Sequence, residues 1–335
     1  MQFFSLVKHQ TITIPAPRFA LLWHLSWFLA LGVSPALHAQ ASTVPDEASL
    51  HEVVSVSYVV VPFVAYGSHG RPFRDLRPSE VGLQIDGSPV VPDFFEKISN
   101  RPISFTILLD GSGSMGLAGK IDGARDAIRA LVRRPVKGDD YTLYVFAEGK
   151  VLEIVPFTTD AGRILSAVDD VEPFGETALY DALRKMPDRS LLGSNGGRAI
   201  ILLTDGLDNA SRDNLDTLVQ AFQGVDVPVY PFGIRSSSTM TSGSRESTMN
   251  MTVLAGLAGM SGGRLSIANK RSELRGAVNT ILTDLRAQYL IGFAPTGEGG
   301  VRYRSISLSF ARPVQTVRVR AGYRGTEPPV PRGRN

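Results

Sequence analysis

Between residues 101 and 285, short apolar runs alternate with amphipathic segments of helical period, and this alternation is the feature that most limits the possible folds. The apolar runs predict buried strands at 103–109, 141–147, 151–156, 199–204, 227–232 and 264–267. Between them, helices are predicted at 119–133, 160–170, 178–186, 213–223, 250–258 and 271–285. Strands that alternate with helices pair in parallel, because each helix returns the chain to the same edge of the sheet. We therefore predict a doubly wound α/β domain with a mainly parallel sheet over 101–285.

Two flanking segments show the two-residue period of strands instead. Residues 41–100 contain two short apolar runs around Asp86 and Gly87, a pair that strongly favours a hairpin turn. Residues 286–325 alternate apolar and polar side chains, as in the run RSISLSF. We predict a small N-terminal β-sheet module over 41–100, a C-terminal β-hairpin over 286–325 and a loose tail over 326–335.

The first 40 residues have the pattern of a secretory signal. A start that contains Lys8 precedes the apolar run FALLWHLSWFLALGV, which is shorter than the roughly 20 residues that a spanning helix needs. The small residues Ala39 and Ala41 surround a suitable cleavage position. We therefore expect residues 1–40 to be removed and the protein to be secreted, to the periplasm or the cell surface. Attachment to a membrane would follow only if this segment stayed uncleaved.

Composition excludes several classes of function. The chain of 335 residues contains no cysteine, which rules out disulfides, thiolate nucleophiles and sulfur-ligated metal sites. Its formal net charge is only +3, which predicts no general affinity for nucleic acid. With 43% hydrophobic and 20% charged residues, the chain has the composition of a globular protein.

A carboxylate and two hydroxyls follow the first strand of the predicted α/β domain. In the stretch FTILLDGSGSMG, Asp110, Ser112 and Ser114 occupy alternate positions of an extended loop, so their side chains point the same way. Doubly wound sheets bind their ligands at the carboxyl ends of the strands. Three convergent oxygens suit a hard divalent cation such as Mg²⁺ better than zinc, which prefers nitrogen and sulfur.

Two later segments can bring further oxygens to the same edge. Asp205 ends the apolar strand of ILLTDGLDN, and Thr177 lies in a loop just before a helix, where its hydroxyl can turn inward. If the strands before Asp110 and Asp205 are neighbours, five oxygen groups from three loops converge. Turn chemistry alone could explain any one of these motifs, since Asp, Ser, Thr and Gly are common in loops.

Together the motifs resemble the metal-ion-dependent adhesion site of the von Willebrand factor A-type domain. The resemblance covers about residues 101–285. It rests on Asp-x-Ser-x-Ser at 110–114, Gly-x-Thr-Ala-Leu-Tyr-Asp-Ala at 175–182 and Thr-Asp-Gly at 204–206. It implies that the hydroxyls bind the metal and that the two aspartates act directly or through bound water. The residues so assigned are Asp110, Ser112, Ser114, Thr177 and Asp205. The flanking β segments also resemble a group of secreted bacterial proteins in which an A-type domain lies between two β modules.

The resemblance implies an adhesive, protein-binding function without catalysis. A divalent cation, Mg²⁺ first with Mn²⁺ or Ca²⁺ as alternatives, stays electrophilic when neutral hydroxyls and one or two carboxylates hold it. An Asp or Glu of a protein partner can then fill its open position in a charge-assisted contact. Such binding should be lost when a chelator removes the metal.

Other functions remain open from the sequence. The stretch GSGSMG at 111–116 fits the glycine pattern of dinucleotide-binding loops, although Asp110 would then sit close to a pyrophosphate. A metal-assisted hydrolase would need a general base. Beyond residue 40 the chain has only two histidines, His51 and His69, both outside the α/β region. An envelope assembly scaffold with a structural metal is the third alternative.

Overall fold

The structure is a computed structural model that describes residues 58–206, 208–223, 226–234, 245–295 and 302–325. The signal predicted at 1–40 and the tail predicted at 326–335 lie outside the described residues. Within the described part, no helix is both long enough and apolar enough to cross a bilayer.

The elements follow one another in three groups. The first group is β1 (Val59–Tyr66), β2 (Val81–Ile85), β3 (Ser88–Val90) and β4 (Phe94–Lys97). The second is β5 (Ile103–Asp110), α1 (Lys120–Val132), β6 (Asp140–Ala147), β7 (Lys150–Thr158), α2 (Ala161–Asp169), α3 (Leu179–Arg184), α4 (Met186–Ser190), β8 (Gly197–Thr204), α5 (Leu215–Gln223), β9 (Val229–Ile234), α6 (Arg245–Ser261), β10 (Ser266–Ala268) and α7 (Arg271–Arg286). The third is β11 (Tyr289–Phe293), β12 (Tyr303–Phe310), β13 (Thr316–Val319) and β14 (Gly322–Arg324).

The central sheet confirms the predicted α/β domain. Its six strands run in the order β10-β9-β8-β5-β6-β7, and every pair is parallel except β6 with β7. The turn from β6 to β7 consists of Glu148 and Gly149, whose φ angles of 49° and 68° suit a tight hairpin. Apolar side chains of α1, α2 and α7 cover one face, and those of α3, α4, α5 and α6 cover the other. The central strand β5 is therefore buried along its whole length.

One predicted helix is divided in two. The sequence predicted a single helix over 178–186, whereas α3 ends at Arg184 and α4 begins at Met186. Pro187 lies at the start of α4, where its missing N–H costs nothing, but its ring would clash inside a continuous helix. The other elements of the domain lie close to their predicted positions, except that α6 begins earlier, at Arg245.

The flanking strands form one β-sandwich, whereas the sequence suggested two separate modules. One sheet has the order β13-β1-β11-β4 and the other β14-β12-β2-β3, so both sheets combine early and late strands. Within the described residues, β12 pairs with β2 and β14, and β13 pairs with β1; of the C-terminal hairpin expected over 286–325, only the short antiparallel pairing of β12 with β14 is formed. An isolated hairpin can bury only one face and is marginally stable, so the late strands gain more by completing the early ones.

The core of the sandwich is aromatic. Phe63 of β1 is 1% exposed and stacks on Tyr289 of β11, with 5.5 Å between ring centroids. Phe95 of β4 and Phe310 of β12 lie 6.2 and 6.1 Å from the Phe63 ring. Phe63 therefore contacts rings from both sheets and from both ends of the described chain.

Buried charges join this sandwich to the end of α7. Asp284 of α7 accepts a hydrogen bond from the Tyr66 hydroxyl of β1 and lies 3.2 Å from the Arg264 guanidinium. The same guanidinium lies 5.4 Å from the centroid of the Tyr66 ring, within the range of a cation–π contact. The last turn of α7 is thus held against β1.

We predict that Phe63→Ala lowers the free energy of unfolding by about 3–5 kcal/mol, the usual cost of emptying a buried aromatic site. Because β12 belongs to the same core, its amides should lose protection against hydrogen exchange together with those of β1. The control is Leu152→Ala in β7, where the side chain is 55% exposed. It should change neither the free energy of unfolding nor the hydrogen-exchange protection of β1 and β12. Loss of protection in β1 alone would contradict a single sandwich.

Candidate metal centre

The candidate site lies at the carboxyl edge of the central sheet, where β5 and β8 end. These strands pair in parallel with Leu109 opposite Leu203, so Asp110 and Thr204 leave the sheet side by side. The neighbour relation on which the predicted site depends is therefore confirmed. The chain continues from β5 to β6 on one side and reaches β8 on the other, so strand order reverses at this point.

Asp110 is fully buried and held by two donors. Its Oδ1 accepts the backbone N–H of Ser112 at 2.9 Å, and its Oδ2 accepts the Thr204 hydroxyl at 2.6 Å. Burial raises the pKa of Asp110 to about 6, although the hydrogen bonds from Thr204 and Ser112 act in the opposite direction. The negative charge of nearby Asp205 adds to the rise in the pKa. The Asp110 carboxyl group is thus held in one position, and its two hydrogen-bond donors do not fully offset the cost of burying its negative charge.

The two serines lie together, as their alternate spacing predicted. The Oγ atoms of Ser112 and Ser114 are 3.2 Å apart, and Ser112 is completely buried while Ser114 is partly buried. A short 3₁₀ segment, Gly113–Gly119, begins directly after Ser112, contains Ser114 and is anchored by Met115, which is also fully buried. The hydroxyls are therefore presented from a fixed loop.

Backbone hydrogen bonds tie this loop to the one that carries Thr177. The N–H of Phe174 donates to the carbonyl of Gly111 at 2.8 Å, and that of Gly113 donates to the carbonyl of Gly175 at 3.0 Å. Thr177 itself is 2% exposed. The second loop is thus placed against the first by its main chain.

The third loop, which follows β8, holds Thr177 from the other side. The Thr177 N–H donates to Asn209 Oδ1 at 2.9 Å, and its carbonyl accepts the N–H groups of Asn209 and Ala210. Asp208 accepts the N–H of Tyr180 in the first turn of α3 at 3.1 Å, and so serves as a cap for that helix. Asn209 is therefore a positioning residue that holds the backbone of Thr177.

Asp205 pairs with a lysine that the sequence analysis missed. The Lys120 Nζ lies 2.7 Å from Asp205 Oδ2, and the two side chains are 7% and 4% exposed. Lys120 begins α1, four residues before buried Ala124, so its position on the apolar face of the helix was a readable signal. A lysine on that face must either reach solvent or find a buried acid.

The donor set fits a hard divalent cation. All five residues predicted to bind the metal carry side-chain oxygens. No group of three or more His, Cys, Asp or Glu side chains that could hold a metal occurs among the described residues, so the site would depend on its hydroxyls. Each carboxylate oxygen can accept more than one contact, so the hydrogen bonds to Asp110 leave it able to face a cation or its water. A divalent ion would also relieve the cost of burying two carboxylates.

The fold and the site geometry can now be compared with known protein families. The family model of the von Willebrand factor type A domain matches residues 105–207. The match begins within β5 and ends just after Asp205, so it includes all five residues predicted to bind the metal. The chain therefore contains a von Willebrand factor type A domain.

Several solved structures are similar to the chain. A von Willebrand factor type A structure from Catenulispora acidiphila is 15% identical with a TM-score of 0.45, and the alignment covers 70% of this chain and 72% of that one. For the vWF domain of a type V pili tip protein from Porphyromonas gingivalis, the identity is 10%, the TM-score 0.41 and the coverage 56% and 94%. The PilB minor pilin of Streptococcus sanguinis is 15% identical with a TM-score of 0.44, and the alignment covers 55% of this chain and 61% of that one. Comparison with curated proteins gives no match.

We predict that Thr204→Val lowers the free energy of unfolding of the chelator-treated protein by about 1–3 kcal/mol, the usual cost of unsatisfied buried polar groups. The variant removes the donor to Asp110 and the acceptor of the Gly206 N–H. Thr106→Val is the matched control on β5. Thr106 is equally buried, but its hydroxyl has no hydrogen-bond partner among the described residues, so its loss should be neutral. Equal effects in urea titrations of the two variants would contradict this role of Thr204.

Proposed function

We propose that the chain is a secreted binding protein whose type A domain holds a divalent cation and uses it to bind an acidic side chain of another protein. The observation that supports this most is the meeting of three separate loops at one sheet edge, where they place Asp110, Ser112 and Thr177 in buried positions. Domains of this family are known for protein binding and adhesion.

The residues of the site have distinct parts in this proposal. Ser112, Ser114 and Thr177 would offer neutral hydroxyls, while Asp110 and Asp205 would supply negative charge. A divalent cation in this setting supplies an electrophilic position for a partner's Asp or Glu. Because hydroxyls do not neutralise the ion, its attraction for a further carboxylate is retained. Mg²⁺ is the first candidate on oxygen chemistry, with Mn²⁺ or Ca²⁺ as alternatives.

Two exposed apolar side chains flank the site and would contact the partner. Leu117, in the loop after Ser114, is 64% exposed, and Phe174, in the loop before Thr177, is 57% exposed. The loops that carry these two side chains lie against each other, since a β-carbon built on Gly116 would be 3.5 Å from the Pro173 side chain. Exposed aromatic side chains become strong contacts when a partner buries them. The geometry therefore favours a partner in which an acidic residue adjoins an apolar one.

The arrangement supports binding better than catalysis. A hydrolase would need a general base within hydrogen-bond reach of an attacking water. The single histidine of the described residues, His69, lies in the turn after β1, in the sandwich part of the chain. Lys120, a basic side chain at the site, is paired with Asp205. We accordingly propose a non-enzymatic role, in the periplasm or at the cell surface, as the signal pattern of residues 1–40 suggests.

The first test is metal binding by the chelator-treated protein. We predict that Mg²⁺ binds with measurable heat in calorimetry, and that Thr177→Val weakens it by at least about tenfold, since metal sites lose that much when a supporting group is removed. Thr106→Val is the control and should bind as the wild type does. The absence of Mg²⁺ binding by the wild type would contradict the proposal.

Partner chemistry is tested with surface-bound peptides that differ only in Asp against Asn, or Glu against Gln. The acidic peptides should bind the protein in Mg²⁺, release it in EDTA and bind again when Mg²⁺ is restored. Equal binding of the amide peptides would exclude recognition of a carboxylate by the metal.

Phe174→Ser separates partner contact from metal binding. Because the Phe174 side chain is exposed and only its backbone N–H supports the site, we predict unchanged Mg²⁺ affinity and weaker binding of acidic peptides that carry an apolar neighbour. Leu192→Ser, at 63% exposure between α4 and β8, is the matched control. A loss of Mg²⁺ affinity in Phe174→Ser would show that the side chain supports the metal loops instead.

A further inference from the structure

The buried pair of Lys120 and Asp205 places a positive charge at the proposed metal site. The two side chains are 7% and 4% exposed, and the distance of 2.7 Å between Nζ and Oδ2 is that of a charge-assisted hydrogen bond. Asp205 is also one of the two acids that would face the cation. An ammonium group and a divalent ion would therefore share this carboxylate.

The backbone before Lys120 directs its side chain to this place. Ala118 and Gly119 have φ angles of 54° and 71°, in the left-handed region that is costly for alanine. These two residues turn the chain sharply after the serine loop, and α1 begins directly at Lys120. The lysine thus follows the loop that carries Ser112 and Ser114 and returns to the same site.

The charges favour competition. Two carboxylates, Asp110 and Asp205, face one ammonium group among these residues. A divalent ion beside an unmoved Lys120 would set three positive charges against two negative ones in a poorly solvated place, where repulsion between like charges is strong. The excess positive charge is removed if the ammonium group moves away when the metal binds. If the ammonium group stays, its repulsion lowers the affinity for the metal.

We propose that Lys120 is a built-in competitor of the metal, which holds Asp205 in the metal-free protein and lowers the affinity of the site for divalent ions. The inference rests on the proposed function and adds its regulation: the site fills only above a metal concentration that the lysine sets. Without the metal, the same ammonium group stabilises the buried acid.

The test compares Lys120→Met with the wild type, both freed of metal by a chelator. Calorimetry with MgCl₂ should show binding that is tighter by on the order of tenfold or more, since a nearby positive charge has been removed. The metal-free variant should melt at a lower temperature than the wild type, because Asp205 has lost its contact with the Lys120 ammonium group. Added Mg²⁺ should then raise the melting temperature of the variant more than that of the wild type.

Two further variants keep the test decisive. Lys120→Gln retains a donor for Asp205 and should also bind Mg²⁺ more tightly, even if Lys120→Met does not fold without metal. Lys137→Met removes an equal charge from an exposed position in the loop between α1 and β6, at the opposite edge of the sheet, and should bind as the wild type does.

The outcomes separate this inference from the proposed function. Equal or weaker Mg²⁺ binding by both Lys120 variants, with clear binding by the wild type, would overturn the competitor role alone. Absence of Mg²⁺ binding in the wild type and in every variant would overturn the metal site and the competitor role together.

Discussion

The parallel pairing of β5 with β8 is the constraint on which the candidate site depends. Leu109 lies opposite Leu203, so the residues that follow each strand emerge at one edge, and the Thr204 hydroxyl reaches Asp110 at 2.6 Å. A shift of one residue in this register would turn the side chains of one strand to the opposite face. Because β5 is buried along its length between two layers of helices, its packing fixes the register. The apolar core thus sets the geometry of a polar site.

Burial of charge explains why the site is organised as it is. Asp110 and Asp205 are almost inaccessible to water, and each is met by specific donors, Thr204 and Ser112 for the first and Lys120 for the second. Isolated buried carboxylates would destabilise the fold or take up protons, and the raised pKa of Asp110 shows that its compensation is incomplete. A cation supplied from outside would complete it.

The sequence predicted those parts of the molecule that depend on local patterns. Apolar runs located β5 and β8, and alternate spacing placed Ser112 beside Ser114. The helical period places Lys120 on the apolar face of α1, but it does not reveal the sharp turn at Ala118 and Gly119 that brings the lysine to Asp205. The single sandwich was missed for a different reason: the register that sets Val59 opposite Phe293 joins distant segments, and each segment alone has the pattern of an independent small sheet. Likewise, Asn209 gains its role only when the loop after β8 folds back on Thr177.

The interleaving of early and late strands also sets an order of assembly. The N–H of Leu76 donates to the Tyr289 hydroxyl, a contact between residues 213 positions apart. During synthesis, β1 and β2 keep unpaired edges until the last strands have been made. The type A domain lies between the early and the late strands in the chain, and by then it already contains every strand of its own sheet. Contacts of such long range are slow to form, and unpaired strand edges invite association with other chains. A nascent chain that stalls before residue 303 would therefore leave unpaired strand edges in both sheets of the sandwich beside a complete type A domain.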